Sequence, residues 1–208
     1  DQKLVDMILD QAKQKGTGKW TSQNAMDLGI PVPTIDMAVT LRELSALKPE
    51  RVAAEKIYGT AQAINEDAVT LAAAVEQALY FSFIATYAQG MAQLTDASNE
   101  YKYGLNLETV ARIWRGGCII RAAMLEDFRQ AYQNNPALPN LLLDAELASS
   151  LQIAQAGIRK VVAAAVSSGI PVPAMSASLA YFDAYRSARL PLNLVQAQRD
   201  FFGSHNYE

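Results

Sequence analysis

Residues that bind metal ions or form disulfides are nearly absent from this sequence. Its 208 residues include one cysteine, Cys118, and one histidine, His205. One cysteine cannot form an intramolecular disulfide, and the spacings typical of zinc sites do not occur. We therefore expect no metal site and a cytoplasmic protein. Cys118 lies within the apolar stretch GGCIIRAAML, where a small buried hydrophobe is its simplest interpretation and a reactive thiol the alternative.

A strong excess of positive charge is also missing. The chain has 18 Lys and Arg residues against 21 Asp and Glu residues, a formal net charge of −3. Nucleic-acid-binding proteins usually carry a basic surface, so we expect no nucleic-acid partner. Apolar runs such as VVAAAV are too short to cross a bilayer, which predicts no membrane association. Hydrophobic residues nevertheless make up 50% of the chain, enough for a buried core.

The alternation of polar and apolar residues that is typical of strands is absent as well, and helical periodicity takes its place. Between residues 61 and 99 there is no proline, and Gly90 is the one glycine. That stretch predicts a single helix of about 50 Å. The sequence thus favours an all-α fold of one domain. The predicted helices span 4–12, 20–28, 33–47, 48–58, 61–99, 107–114 (with Asn106 as N-cap), 118–134 and 144–167.

The pentapeptide GIPVP occurs twice, at 29–33 and at 169–173. In both copies the glycine ends one helical pattern and the prolines precede another. This shared placement of glycine and prolines between helices favours an internal duplication over coincidence. We predict a single helical domain over residues 1–198, with a duplicated unit arranged around the long helix.

The stretch KGTGKW, residues 15–20, combines glycines and lysines as anion-binding turns do. It does not match the phosphate loop of nucleotide hydrolases, which has four residues between its glycines and a Ser or Thr after the lysine. Two interpretations therefore stay open on these residues alone, a simple helix connector and an anion site.

The last residues, QRDFFGSHNYE, place two adjacent phenylalanines on a chain terminus. Such a segment usually docks, either on its own domain or on a partner subunit, or it is an ordinary packed terminus. A Ser-His-acid triad would have to use His205 on this same tail, which disfavours that chemistry. We treat residues 199–208 as a separate tail.

Three stretches together resemble a known family. LVDMILDQAKQKGTGKWTSQNAMDLGIPVP, ARIWRGGCIIRAAML and AQRDFFGSHNYE, in this order, are similar to the C-terminal helical domain of 6-phosphogluconate dehydrogenases. The resemblance implies an NADP-dependent oxidative decarboxylation of 6-phosphogluconate to ribulose 5-phosphate in the pentose phosphate pathway. It also implies an all-α domain with duplicated helices and a homodimer in which the tail of each subunit reaches its partner.

The resemblance also implies which residues bind the substrate. In the family, the first lysine of the glycine turn and its threonine contact the substrate phosphate, and these match Lys15 and Thr17. An arginine on the following helix matches Arg42. An arginine and a histidine from the partner's tail match Arg199 and His205. Guanidinium and ammonium groups and backbone N–H groups suit a phosphate dianion. Without the resemblance, Arg42 would be interpreted as a solvated helix charge, and Lys19 is expected to face solvent or to be structural.

Some family features do not occur in this sequence. The family's dinucleotide-binding domain with its GxGxxG turn, its general-base lysine and its general-acid glutamate precede the region matched here. We therefore expect no catalytic residue and no complete cofactor site in this chain, and we expect the chain, which begins at Asp1 without a methionine, to be part of a longer protein. The alternatives are the C-terminal domain of another β-hydroxyacid dehydrogenase and a non-catalytic helical oligomerisation domain.

Overall fold

The computed structural model describes residues 3–206, so Asp1, Gln2 and the last two residues of the predicted tail, Tyr207 and Glu208, lie outside the described residues. Within that range the fold consists of helices and contains no strand, which confirms the predicted all-α class. The α-helices are α1 Thr17–Leu28, α2 Pro33–Ser45, α3 Lys48–Tyr58, α4 Ala68–Tyr101, α5 Leu107–Gly116, α6 Leu125–Asn134, α7 Ala145–Ser167, α8 Pro173–Tyr185 and α9 Leu192–Gly203. Short 3₁₀ turns cover Leu4–Met7 and Leu141–Leu143.

The long helix α4 is the centre of the fold. It has 34 residues, about 50 Å at 1.5 Å per residue. α7 and α8 pack along it, and α1 and α2 contact it further along. Fully buried side chains from α4, α6 and α7 meet in one hydrophobic core, among them Phe81, Ile84, Met91, Phe128 and Ile158.

By length and composition alone, α4 is apolar enough to cross a membrane. The expectation that every apolar stretch is too short to do so therefore does not extend to this helix. Neighbouring helices cover part of it: 28% of its most apolar stretch is buried in the described chain, and α7 and α8 supply much of that contact.

The start of α4 differs from the prediction, which placed it at residue 61. Asp67 caps the helix, because its carboxylate accepts a hydrogen bond from the Thr70 N–H at 2.9 Å. The preceding residues 61–67 are not helical and lie beside the end of α7, where the Gln62 N–H donates to the Ser168 carbonyl at 2.8 Å. The cap and this contact with α7 decide the boundary.

The two GIPVP segments adopt the same turn. Gly29 and Gly169 have φ of 71° and 72°, in the left-handed region that favours glycine. Val32 and Val172 have φ of −125° and −126°, and the helix that follows has 13 residues in each case. α2 and α8 also pack against each other. The internal duplication stays a prediction, which this shared geometry supports.

One predicted helix, the start of another and one burial prediction are wrong. Residues 4–12 form only the 3₁₀ turn Leu4–Met7, since nothing in the described chain covers their apolar side chains and a short isolated helix is marginal in water. Residues 118–124 form turns before α6. There the Tyr87 hydroxyl donates to the Ile120 carbonyl, a tertiary contact that competes with a helix. Cys118 lies on this loop and is exposed rather than buried.

Candidate functional site

The N-terminus of α1 is open to solvent. Gly16 precedes it with φ of 103°, and no side chain caps the helix. The first N–H groups of a helix have no carbonyl partner within it, and the helix dipole makes this end electropositive. Lys15 and Thr17 stand at this end and are exposed, as is Lys19. An uncapped helix start beside a lysine and a hydroxyl can accept an anion.

The chain leading into α1 runs along the last turns of α2 in the opposite direction. Residue by residue, earlier positions of this segment meet later positions of α2. The contacts are Gly18 with Val39, whose Cγ2 lies 3.0 Å from where a Cβ on the glycine would stand, Gln14 with Glu43 (Nε2 to Oε1, 3.4 Å) and Ala12 with Ser45 (N to Oγ, 2.9 Å). This antiparallel arrangement brings Lys15 level with the turn of α2 that carries Arg42.

Arg42 is exposed on the last turn of α2. It belongs to no ion pair among residues 3–206. Its guanidinium is therefore available to an anionic ligand. Lys15, Thr17 and Arg42, three of the five residues predicted for the site, thus belong to one corner of the molecule, which we call the α1–α2 corner.

Hydrogen bonds attach the α1–α2 corner to the central helix. Gln89 of α4 is fully buried. Its Oε1 accepts from the Thr34 N–H at 3.0 Å, and its Nε2 donates to Thr34 Oγ1 at 2.9 Å. Further along α4, Gln93 Nε2 donates to the Thr21 carbonyl at 2.9 Å and to Asn24 Oδ1 at 3.0 Å. These buried polar contacts fix both helices of the corner on α4.

The other two predicted residues belong to the tail. Arg199 is on α9, where its Nη1 donates to Gln196 Oε1 at 3.1 Å, and His205 follows the helix. No residue of α9 is buried, and Phe201 and Phe202 are 85% and 75% exposed. In the part of the chain that the structure describes, no hydrogen bond or ion pair joins this tail to the α1–α2 corner. A single chain therefore does not assemble all five residues. The sequence prediction did not identify α9 as a helix.

An apolar groove of about 790 Å³ lies beside the corner. It is lined by Thr21 and Asn24 of α1, by residues of α4, and by the loop at Ile119 and Ile120. Burial raises the pKa of the Tyr87 hydroxyl at this groove. The groove suits apolar side chains better than a charged sugar acid. In the sequence, the one indication of this groove is the apolar stretch GGCIIRAAML.

No group of three or more His, Cys, Asp or Glu side chains within residues 3–206 is arranged to hold a metal ion. The sequence contains no GxGxxG motif for a dinucleotide.

Comparisons with known proteins match the whole chain. The family model for the 6-phosphogluconate dehydrogenase C-terminal domain matches residues 1–208. The NADP(+)-dependent, decarboxylating 6-phosphogluconate dehydrogenase of Bacillus subtilis (strain 168) is 50% identical over 207 residues, covering 99% of this chain and 44% of that protein. The decarboxylating enzyme of Synechococcus elongatus is 52% identical over 209 residues, covering all of this chain and 44% of that protein.

A solved structure agrees with these relatives. It is Plasmodium falciparum 6-phosphogluconate dehydrogenase, described in its apo form and in complex with its cofactor NADP+ and its substrate 6-phosphogluconate. It superposes with a TM-score of 0.93 at 47% identity and covers 99% of this chain and 44% of that one. This chain thus spans less than half the length of these relatives. The match over its full length and the identity near 50% show that it belongs to the 6-phosphogluconate dehydrogenase family, as that family's C-terminal domain.

Proposed function

We propose that this chain is the substrate-binding and dimerisation domain of an NADP-dependent 6-phosphogluconate dehydrogenase. The whole enzyme oxidatively decarboxylates 6-phosphogluconate to ribulose 5-phosphate. In this proposal Lys15, Thr17 and Arg42 bind the substrate phosphate, and Arg199 and His205 of a second copy complete the site.

One observation carries the proposal: the uncapped start of α1 lies beside the turn of α2 that carries Arg42. A phosphate dianion bound there would meet backbone N–H groups, an ammonium group and a guanidinium group. Such charge-assisted hydrogen bonds are stronger than neutral ones, and an arginine can bind two phosphate oxygens at once. The tail arginine would add a second guanidinium, and His205 a donor for a sugar hydroxyl or carboxylate.

The nicotinamide cofactor and the acid–base chemistry belong to the part of the enzyme outside this chain. The relatives are more than twice as long as the chain, and the chain has no dinucleotide motif of its own. NADP is therefore assigned from the named cofactor of the relatives. The chain alone should show no turnover with NAD or NADP, and turnover by a pure preparation would contradict this division of labour.

The substrate assignment is tested by replacing Arg42 with alanine in the enzyme that contains this domain. The loss of a charge-assisted phosphate contact of about 1.5–3 kcal/mol should raise KM for 6-phosphogluconate at least tenfold. KM for NADP should stay unchanged. Arg112→Ala, which removes an exposed helix arginine of α5, is the matched control. An unchanged KM in Arg42→Ala would show that Arg42 is an ordinary solvated charge.

The dimer part of the proposal is supported by the exposed tail. Burying a phenylalanine side chain stabilises a complex by roughly 1.5–3 kcal/mol, and Phe201 and Phe202 remain largely exposed on their own domain. If they pack on a second copy, Arg199 and His205 enter its site, and a symmetric dimer holds two composite sites. Each composite site then takes Lys15 and Arg42 from one subunit and Arg199 from the other.

Deletion of residues 199–208 tests tail exchange. The deletion should weaken the dimer in sedimentation and weaken phosphate binding in calorimetry at the same time. A mixed dimer of Arg42→Ala and Arg199→Ala chains should keep about half of the binding capacity, because one pocket carries both lesions and the other carries neither. A full-strength dimer of the deleted chain with normal phosphate binding would contradict the shared site.

A further inference from the structure

The segment leading into α1 is held by side chains from α2 and α3. Residues 3–13 are exposed throughout, so packing does not fix their position. Lys15 nevertheless follows directly from this segment. Its position relative to Arg42 depends on whatever holds the residues before it.

Arg51 of α3 makes most of these contacts. Its Nη1 donates to Asp10 Oδ2 at 2.9 Å, and its Nη2 donates both to the Asp10 carbonyl at 3.2 Å and to the Ser45 carbonyl at 3.0 Å. Lys48 pairs with the other oxygen of Asp10, Nζ to Oδ1, at 2.9 Å. One guanidinium thus joins the incoming segment to the end of α2 through backbone and side chain together.

Ser45 extends the same set of contacts to a proposed phosphate ligand. Its Oγ accepts from the Ala12 N–H at 2.9 Å and donates to the carbonyl of Arg42 at 2.7 Å. The last carbonyls of a helix have no partner within it. Here the Arg42 carbonyl is satisfied by a hydroxyl that also holds the segment leading to Lys15.

We propose that Asp10, Ser45 and Arg51, the Arg51 cluster, are positioning residues that set the distance between Lys15 and Arg42 and thereby the affinity of the site for the phosphate end of the substrate. This inference rests on the proposed function. None of the three is proposed to touch the substrate. Binding sites lose affinity when their groups are displaced by more than about 0.5 Å, and an exposed segment without packing would allow such displacements.

Three variants of the complete enzyme test the cluster: Ser45→Ala, Asp10→Asn and Arg51→Met. Asp10→Asn and Arg51→Met should each raise KM for 6-phosphogluconate about tenfold, and Ser45→Ala should raise it by up to about tenfold. In all three variants kcat and KM for NADP should change little. Ser45→Ala removes a single hydroxyl from a half-buried position, so it keeps the test usable if Arg51→Met fails to fold. The inhibition constant of inorganic phosphate should rise with KM, while that of gluconate, which has no phosphate, should stay constant.

Arg129→Met is the matched control, because Arg129 makes a similar set of ionic contacts elsewhere, to Glu126 (Nε to Oε1, 2.9 Å) and Glu108 (Nη1 to Oε1, 3.2 Å). It should alter neither phosphate nor substrate constants. On an Arg42→Ala background, Ser45→Ala should lose most of its own effect, since it acts through Arg42.

The outcomes separate the two proposals. If Arg42→Ala leaves phosphate binding intact, the proposed substrate site itself is wrong. If Arg42→Ala weakens phosphate binding and the cluster variants do not, the positioning role is wrong. It is also wrong if the cluster variants weaken the binding of gluconate and of phosphate equally.

Discussion

Two helical hairpins in this molecule contain turns of the same conformation and differ in how they are attached to α4. The first hairpin, 17–45, joins α1 to α2, and the second, 145–185, joins α7 to α8. In both, the N–H of the isoleucine that follows the glycine closes the preceding helix: Ile30 donates to the Ala25 carbonyl and Ile170 to the Ala165 carbonyl, each at 2.8 Å. The pentapeptide therefore fixes the turn locally, whatever surrounds it.

The attachments of the two hairpins to α4 are different in kind. Buried glutamines hold the first hairpin through hydrogen bonds. The second lies against α4 by direct packing: Phe182 meets Phe81 edge-on with ring centroids 5.0 Å apart. At Gly157 the backbones approach so closely that a Cβ would stand 2.4 Å from Gln77 Cβ. The second hairpin is a core element, whereas the first keeps its helix end free.

The side chains at matching positions follow this division. The residues 140 positions after Lys15, Thr17 and Arg42 are Gln155, Gly157 and Phe182. None of these carries a positive charge, and two of them contact α4. The same turn thus accompanies the proposed anion site in the first hairpin and helix packing in the second, because the residues at the helix ends differ.

The largest expected effect comes from adding a side chain at Gly157 in the second hairpin. Gly157→Ala would place a methyl group 2.4 Å from Gln77 Cβ and 2.9 Å from the Ala74 carbonyl oxygen. Overpacking at such a site costs about 3 kcal/mol, which chemical denaturation would measure. Gly90→Ala, with nothing within 4 Å of the new Cβ, is the control and should be neutral or stabilise by about 0.5–1 kcal/mol. Equal stability of the two variants would show that α4 and α7 are not closely packed.

An intermediate effect is expected where the first hairpin is attached. Gln89→Leu leaves the buried Thr34 N–H without an acceptor, and an unsatisfied buried donor costs about 1–3 kcal/mol. Denaturant midpoints of the variant and the parent chain measure the loss. Adding Thr34→Val should cost less in this background than alone, because both residues belong to one network. Fully additive costs would contradict the coupling.

The smallest effect is expected at the surface of the second hairpin. Arg159 and Arg186 hold the pKa of Asp183 below its usual 3.8, Arg159 being the larger cause. A carboxyl whose pKa is lowered on folding stabilises the fold at pH values above its pKa in the unfolded chain. This stabilisation disappears as the pH falls through its pKa in the folded protein. Asp183→Asn should therefore cost about 0.5 kcal/mol at pH 7, since both partners are partly exposed to solvent. The difference from the parent should shrink as the pH falls below 3.8 and through the lower folded pKa, and a constant difference in unfolding free energy across pH would exclude the ion pair.

Local signals in the sequence determined most of the helices. Pro33, Pro49 and Pro173, with Gly29, Gly59 and Gly169, mark ends that the structure confirms, because these residues act on the backbone of their own turn. Asn106 caps α5 as predicted, accepting from the Thr109 N–H at 2.8 Å. The all-α class and the long central helix followed from the same local rules.

Tertiary structure decided what local rules cannot reach. The apolar periodicity of residues 4–12 is real, but a helix there would need a surface to cover its apolar face, and the described chain provides none. Cys118 is exposed on a loop whose Ile120 carbonyl accepts a hydrogen bond from the Tyr87 hydroxyl of α4.

The site divides in the same way. The residue types of KGTGKW and Arg42 could be selected from the sequence through their resemblance to a family. Their proximity depends on Ala12, Gln14 and Gly18 meeting α2 in reverse order. Contacts between residues some 20 to 33 positions apart have no local signature, because they exist only after α1 and α2 have packed. The sequence by itself determined the helix ends that proline, glycine and capping residues mark, and the tertiary structure decided which of those ends lie together.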